Sequence, residues 1–264
     1  MIETIRTITL ITATGIAAYT DYKTGYIYDT ITKPLILIGA ILNIIENNYY
    51  AFLLPIIIYV IGYLLYKTGK IGGGDVNLYT GIAMIMPSEN NSFIINSILF
   101  ATITAITYVS TYYTIKYAQK RIEIEINKDN IKKAIILGTL ITAYTIIALI
   151  TPTNNTIKTI AQITYIPLIL GCIYIALEKG IKKEFFLKEI KTSEAEEDEI
   201  IAKEFIDKKT MDKTKNLLKE VMQPKEIKEL EKIGIKKILV YRDLPKFGPF
   251  IFIGTIIALT MPII

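Results

Sequence analysis

Lys70-Ile71-Gly72-Gly73-Gly74-Asp75-Val76 joins two strongly apolar segments and sets one carboxylate beside three consecutive glycines. The position is the edge of a membrane segment. Glycine runs appear where backbone must come close to something or take angles closed to other residues. An ionisable side chain next to hydrocarbon is costly and marks a functional site by default. A plainer reading stands beside that one: a flexible loop ending in a helix N-cap aspartate, which suits the N-terminus of the next helix. The rest of the chain has to decide between them.

The chain has 264 residues, 52% of them hydrophobic, with a mean hydropathy of +0.41. So many long apolar runs in one chain indicate a polytopic membrane protein. There is no histidine and one cysteine, Cys172, which lies among apolar residues. That excludes His-dependent triads, His-based zinc sites, Cys–His nucleophile pairs, four-cysteine zinc modules and any intrachain disulfide. No serine sits in a G-x-S-x-G elbow. Acid–base chemistry must therefore come from carboxylates, lysines or tyrosines, and neither a metal nor a cofactor is expected. The first apolar stretch carries Glu3, a single Arg6 and no small-residue cleavage site, so it reads as a retained helix rather than a signal peptide.

Eight apolar segments follow one another: 5–20, 31–45, 49–66, 76–86, 93–117, 134–150, 160–177 and 247–264. The second and fourth are short against the ~20 residues of a full crossing. Several are rich in Ile, Thr and Tyr, β-formers in water. In a bilayer the backbone must satisfy its own polar groups, and helices are expected instead. With eight crossings, 28 of the 30 basic residues fall on one side, which the positive-inside rule makes the cytoplasm, with both termini outside. A count of six would make two pairs of segments re-entrant.

These features divide the chain into a membrane-embedded helical core (1–177), a charged cytoplasmic insert (178–246) and a final membrane helix (247–264). The fold class is all-α. The insert holds 18 basic and 16 acidic residues. Its acidic cluster Glu194–Glu199 is placed at or before a helix start. Ile200, Phe205, Met211, Leu217, Leu218, Val221 and Met222 recur at helical spacing. Pro224 to Gly234 reads as a short helix, and Lys237–Arg242 as a strand or extended piece. With no nucleotide loop and no interleaved basic–aromatic pattern, the insert is expected to meet lipid headgroups, not nucleic acid.

Under this topology Asp75 lies on the cytoplasmic side, and so does Asp21 at the end of the first helix. Two carboxylates at matching depth are what an aspartic protease needs. Their like charges cannot both ionise cheaply, so the pair shares a proton near neutral pH. One draws a proton from water while the other polarises the scissile carbonyl. Two alternatives stay open on the residues alone. Asp21 can simply pair with Lys23, and Asp29 in the same loop is a rival partner for Asp75.

Gly72-Gly73-Gly74-Asp75 matches the G-x-G-D signature of membrane-embedded aspartic proteases. The longer Ile71-Gly-Gly-Gly-Asp-Val-Asn-Leu78 resembles the type IV prepilin peptidases and archaeal preflagellin (archaellin) peptidases. Asp21 followed by Ile27 and Asp29 is similar to that family's first catalytic aspartate and its downstream motif. Phe247-Gly248-Pro249-Phe250, leading into a helix with Gly254, resembles its closing segment. The resemblance covers roughly 1–117 plus the last helix. It implies that Asp21 and Asp75 are the catalytic pair and that Gly72, Gly73 and Gly74 form the active-site loop, while Lys23, Asp29 and Asn77 are possible substrate contacts. Tyr28 stands where the family has proline, and Asn77 where it commonly has lysine.

The expectation is thus an aspartic endopeptidase of the cell membrane that removes the short leader of pilin-like or archaellin precursors at the cytoplasmic face. Without the cysteine-bearing domain of many bacterial members, no methyltransferase activity is expected. Three adjacent glycines would leave Asp75 loosely anchored. Two rivals belong to other classes: a proton-coupled transporter with Asp75 near a broken helix, and a non-catalytic scaffold whose insert binds a partner. The sequence is silent on oligomeric state.

Overall fold

The computed structural model describes residues 1–87, 92–120, 122–152, 154–195, 199–206 and 232–261, with Met222, Ile227, Glu229 and Leu230 between them. Its main helices are α1 (Ile2–Thr24), α2 (Asp29–Ile45), α3 (Leu53–Lys67), α4 (Gly73–Ile85), α5 (Ser92–Ala118), α6 (Ile124–Ile150), α7 (Asn155–Ile181) and α8 (Gly248–Thr260). The β-forming composition is overridden as expected. Threonine shows how: Thr14 donates to Leu10 O at 2.7 Å, and Thr164 to Ile160 O at 2.7 Å. Hydroxyls that bond back to the preceding turn are satisfied without water.

Among the described residues, four helical stretches are long and apolar enough to cross a bilayer: Tyr49–Lys67, Ser92–Ala118, Ile124–Ile150 and Asn155–Phe186. Their outer faces carry Ile57, Ile61, Leu64, Ile136, Leu140 and Ile147, all exposed. The chain is a multi-pass helical membrane protein. α6 starts ten residues earlier than its apolar run, so Lys128, Lys132 and Lys133 ride on its first turns. α4 is only 13 residues long, about 20 Å of helix against a hydrocarbon core of about 30 Å.

The helices pack in the order α6, α7, α5, α8, α1, α2, α4, α3. The last helix in sequence is therefore wedged between the first and the fifth, and joins the two halves of the core. It fits because small residues line the contact. A Cβ on Gly254 would lie 2.4 Å from the Ala101 nitrogen, and Ser97 and Thr255 share a hydrogen bond at 3.1 Å. Close backbone approach through small residues is how helices associate without a hydrophobic drive.

α3 and α4 solve opposite problems. Pro55 is the sole buried residue of α3, whereas nine of the thirteen residues of α4 are buried. The short helix is enclosed by α2 and α3 and sealed by Leu10, Leu35, Leu42 and Ile251. Its C-terminal carbonyls, orphaned by helix geometry, are taken by a buried polar group. Arg6 donates to Ile85 O at 2.7 Å and to Asn43 Oδ1 at 2.8 Å, and pairs with Glu46 at 2.6 Å. Asn43 donates in turn to Met84 O at 3.0 Å. Arg6, one of two basic residues off the positive side in the eight-crossing topology, is thus a helix clamp.

The charged region departs from the all-α expectation. β1 (Leu187–Lys191), β2 (Ile200–Ile201) and β3 (Lys237–Tyr241) form an antiparallel sheet in the order β1-β3-β2, with Leu187 and Ile200 both opposite Tyr241. Lys237–Arg242 is extended as expected, but Ile200 is in a strand and Phe205 in a 3-10 turn, not on a helix. Glu194 ends a 3-10 turn and Glu199 stands just before β2, where it accepts from Arg242 at 2.8 Å. Met211 to Val221, Glu196–Asp198 and Pro224 lie outside the described residues. Ile227, Glu229, Leu230 and Lys232 are helical, and Gly234 ends the turn at φ +79°, in keeping with the glycine stop. Ile190, Ile201, Met222, Leu230, Ile238 and Val240 make a core separate from that of the membrane helices. Phe186 and Ile181 fasten the sheet to Tyr117 of α5.

Candidate active site

Asp21 lies in the last turn of α1, which runs on to Thr24 and is stopped by Gly25 in the left-handed conformation at φ +79°. A carboxylate at a helix C-terminus faces an unfavourable dipole. The compensation comes from the other end of the chain. Gly248 N, a free donor in the first turn of α8, donates to Asp21 Oδ2 at 2.8 Å, and a helix N-terminus favours an anion. The approach requires glycine: a Cβ on Gly248 would sit 2.9 Å from Asp21 Cβ and Oδ2. Lys246 brings a positive charge nearby and donates to Tyr22 O at 2.8 Å. Lys23, its partner in the plainer alternative, instead lies over the Tyr19 ring, 5.9 Å from its centroid.

Asp75 stands at the third position of α4, after the N-cap Gly72. It is therefore not the N-cap of the plain reading, and it is not loosely held. Its carboxyl accepts from the Gly72 N–H, the return half of a capping box. The three glycines are not equivalent. A Cβ on Gly72 would lie 2.9 Å from Asp75 Oδ2, and one on Gly74 would lie 2.8 Å from Ile27 Cβ and 2.9 Å from Ile27 O. A Cβ on Gly73 would meet the Tyr66 ring at an ordinary 3.5 Å. The pattern G-x-G-D follows from these contacts: two tight positions around one that has room.

Both carboxylates stand one residue outside the apolar runs 5–20 and 76–86. Burial raises Asp21 above the ordinary carboxylate range, although the Gly248 N–H and the Lys246 charge pull the other way. Burial, with the Asp21 charge second, pushes Asp75 up to about 7. The two groups lie within electrostatic reach of each other. Asp29 differs. It is exposed at the start of α2, paired with Lys33 at 2.7 Å, which holds it below the ordinary range. Asn77 donates to it at 3.2 Å. Ile27 under Gly74 and Asp29 under Asn77 thus brace the head of α4 from the α1–α2 connection. Beside them opens a groove of about 370 Å³ between α3 and α4, lined by Tyr59, Tyr63, Tyr66 and Gly73.

Sequence reasoning singles out Asp21, Asp75 and the glycines but misses Lys246 as the cation near Asp21, and also Tyr79. Gly248 stands out in the sequence only as part of the closing segment, without its bond. The available signal is Lys-Phe-Gly-Pro at 246–249, a helix start immediately after a basic residue. No group of three or more potential metal ligands occurs among the described residues.

Comparison with known proteins follows the same outline. The model of the type IV leader peptidase family matches residues 8–109. The prepilin peptidase EppA of Methanothermobacter thermautotrophicus is 30% identical over 97 residues, 34% of this chain and 25% of that protein. The aligned stretch is thus about a quarter of that relative's length. No solved structure matches the chain. The matched segment runs from α1 into α5 and contains both aspartates, the glycine run and the Ile27–Asp29 brace, so over residues 8–109 this chain is similar to the type IV leader peptidase family.

Proposed function

We propose that the protein is a membrane aspartic endopeptidase that cleaves the leader of pilin-like or archaellin precursors at the cytoplasmic membrane face, with Asp21 and Asp75 as the catalytic pair. The observation that carries the reading is the unequal grip on two nearby carboxyls. Asp21 has a helix N-terminus and a lysine to stabilise its anion. Asp75 carries the larger upward shift, from burial and from the Asp21 charge beside it. The shared proton, strictly a property of the pair, therefore resides on Asp75.

Asp21, ionised, takes a proton from a water molecule as the water oxygen bonds to the scissile carbonyl carbon. Asp75 donates to the carbonyl oxygen. Collapse breaks the C–N bond, and the proton held by Asp21 passes to the departing nitrogen. Neither metal nor cofactor takes part. An eight-crossing topology with inside-facing charge puts these groups at the cytoplasmic surface, where a precursor helix lying in the bilayer presents its leader junction. The groove between α3 and α4 offers that substrate an aromatic wall beside Gly73 and Gly74, with Asp29 and Asn77 also lining it. The charged segment 178–246 is a cytoplasmic domain on the same reading. Peptidase activity without methyl transfer is expected.

Cleavage of a panel of pilin-like and archaellin-like precursors by purified protein in membranes tests this. Asp21→Asn and Asp75→Asn should each lose at least about 10³-fold in rate, the scale of losing an acid–base group. Asp29→Asn should stay within a few-fold of wild type. If both single mutants still cut, the pair is wrong. If the wild type cuts nothing, the transporter and scaffold readings return.

A further inference from the structure

Tyr79 is a buried polar side chain that the mechanism above does not use. It is 6% exposed, and its hydroxyl has no hydrogen-bond partner among the described residues. Burying a donor without an acceptor is unfavourable and rare, and each instance calls for a reason. Tyr79 lies in the tightly packed α4, where a phenylalanine would fill the same space without that cost.

Its position supplies the reason. Tyr79 follows Asp75 by four residues on one helix, so the two side chains share a face. Helical side chains tilt toward the N-terminus, which carries the phenol back to the level of the carboxyl. The phenol lies within electrostatic reach of Asp75. The ring is 6.5 Å from that of Phe247, the residue before the Gly248 that grips Asp21. Tyr79 therefore lies beside Asp75 and against Phe247, in the core cluster that also holds Ala17 and Ile82. Asp21 and Asp75 each already accept a backbone N–H, from Gly248 and Gly72. The missing acceptor is one that a bound peptide brings.

We propose that Tyr79 is a further catalytic residue, whose hydroxyl donates a hydrogen bond to the scissile carbonyl oxygen of the substrate. This rests on the peptidase reading. As the water oxygen bonds to the carbonyl carbon, the C=O electron pair moves onto oxygen. Asp75 and Tyr79 then share that charge from two directions, and the Tyr79 proton stays on Tyr79. A donor already in place needs no reorganisation at that moment.

The test is a comparison of wild type, Tyr79→Phe, Tyr79→Leu and Asp75→Asn in precursor cleavage, with thermal midpoints measured on the same preparations. Tyr79→Phe keeps the ring against Phe247 and removes one unpartnered hydroxyl. It should leave the midpoint equal or higher and KM within about twofold, while kcat falls on the order of 10²-fold, as for loss of one oxyanion donor. Tyr79→Leu should lose kcat at least as much. If Tyr79→Phe cleaves at the wild-type rate while Tyr79→Leu fails, the ring is packing and the assignment is overturned. A Tyr79→Phe loss seen in KM alone overturns it too. Wild-type cleavage with a silent Asp75→Asn sinks the catalytic pair and this assignment together, whereas an active wild type, a dead Asp75→Asn and a full-rate Tyr79→Phe sink this assignment alone.

Discussion

The two ends of α4 are built on opposite plans. At the C-terminal end Arg6, Asn43 and Glu46 spend their polar groups on one another and on the carbonyls of Met84 and Ile85. Nothing there is left over. At the N-terminal end Asp75 reaches back to the Gly72 N–H, yet it stays partly desolvated beside a second carboxyl and the Tyr79 hydroxyl goes unmatched. A saturated polar cluster fixes a helix. An unsaturated one stores interactions for something that arrives later, at a cost in stability. One short, enclosed helix carries both, so the clamp at one end sets where Asp75 and Tyr79 stand at the other.

The sharpest way to break this contrast is at the clamp. Arg6→Ala should destabilise the protein by about 2–4 kcal/mol, because it leaves Asn43 Oδ1 and Ile85 O unsatisfied in a buried site and exposed Glu46 without its partner. Chemical denaturation in detergent micelles would show it, and a loss below about 1 kcal/mol would mean that the cluster is ornamental.

At the other end the sign reverses. Asp75 has a folded-state value near 7 against 3.8 for the free group. The folded protein binds that proton more tightly, so stability is lost as pH rises between those values. Asp75→Asn should therefore be more stable than wild type at pH 8, by on the order of 2–4 kcal/mol, with the difference closing toward pH 4. Thermal midpoints across that range test it. A parallel pair of curves would remove the claim that Asp75 is held at a cost.

The glycines give the finest discrimination. Gly74→Ala should cost about 1–3 kcal/mol through the clash with Ile27, and with it most of the cleavage rate, because Asp75 shifts. Gly73→Ala should fall within about 0.5 kcal/mol of wild type and keep its activity. Equal behaviour of the two would mean that the run serves flexibility after all.

Much of this architecture is legible in the amino-acid sequence. Apolar runs at membrane length, in a chain that must close its backbone bonds internally, determine a helical membrane protein whatever the β-propensity of Ile, Thr and Tyr. The absence of histidine and the single cysteine leave carboxylates, lysines and tyrosines as the available chemistry. Asp21 and Asp75 stand out because ionisable groups are scarce beside such runs. The sheet near 187–241 is not legible beyond β3, because β2 is two residues long and β1 is mostly charged, so neither shows a strand period. Tertiary structure alone decided which cation and which N–H hold Asp21, since Lys246 and Gly248 are over 200 residues away in sequence and meet it because α8 wedges against α1. It alone separated Gly73 from its neighbours, and it alone showed that Arg6 caps a helix while Tyr79 waits without a partner. Local sequence fixes which groups must be satisfied. The fold fixes which of them are.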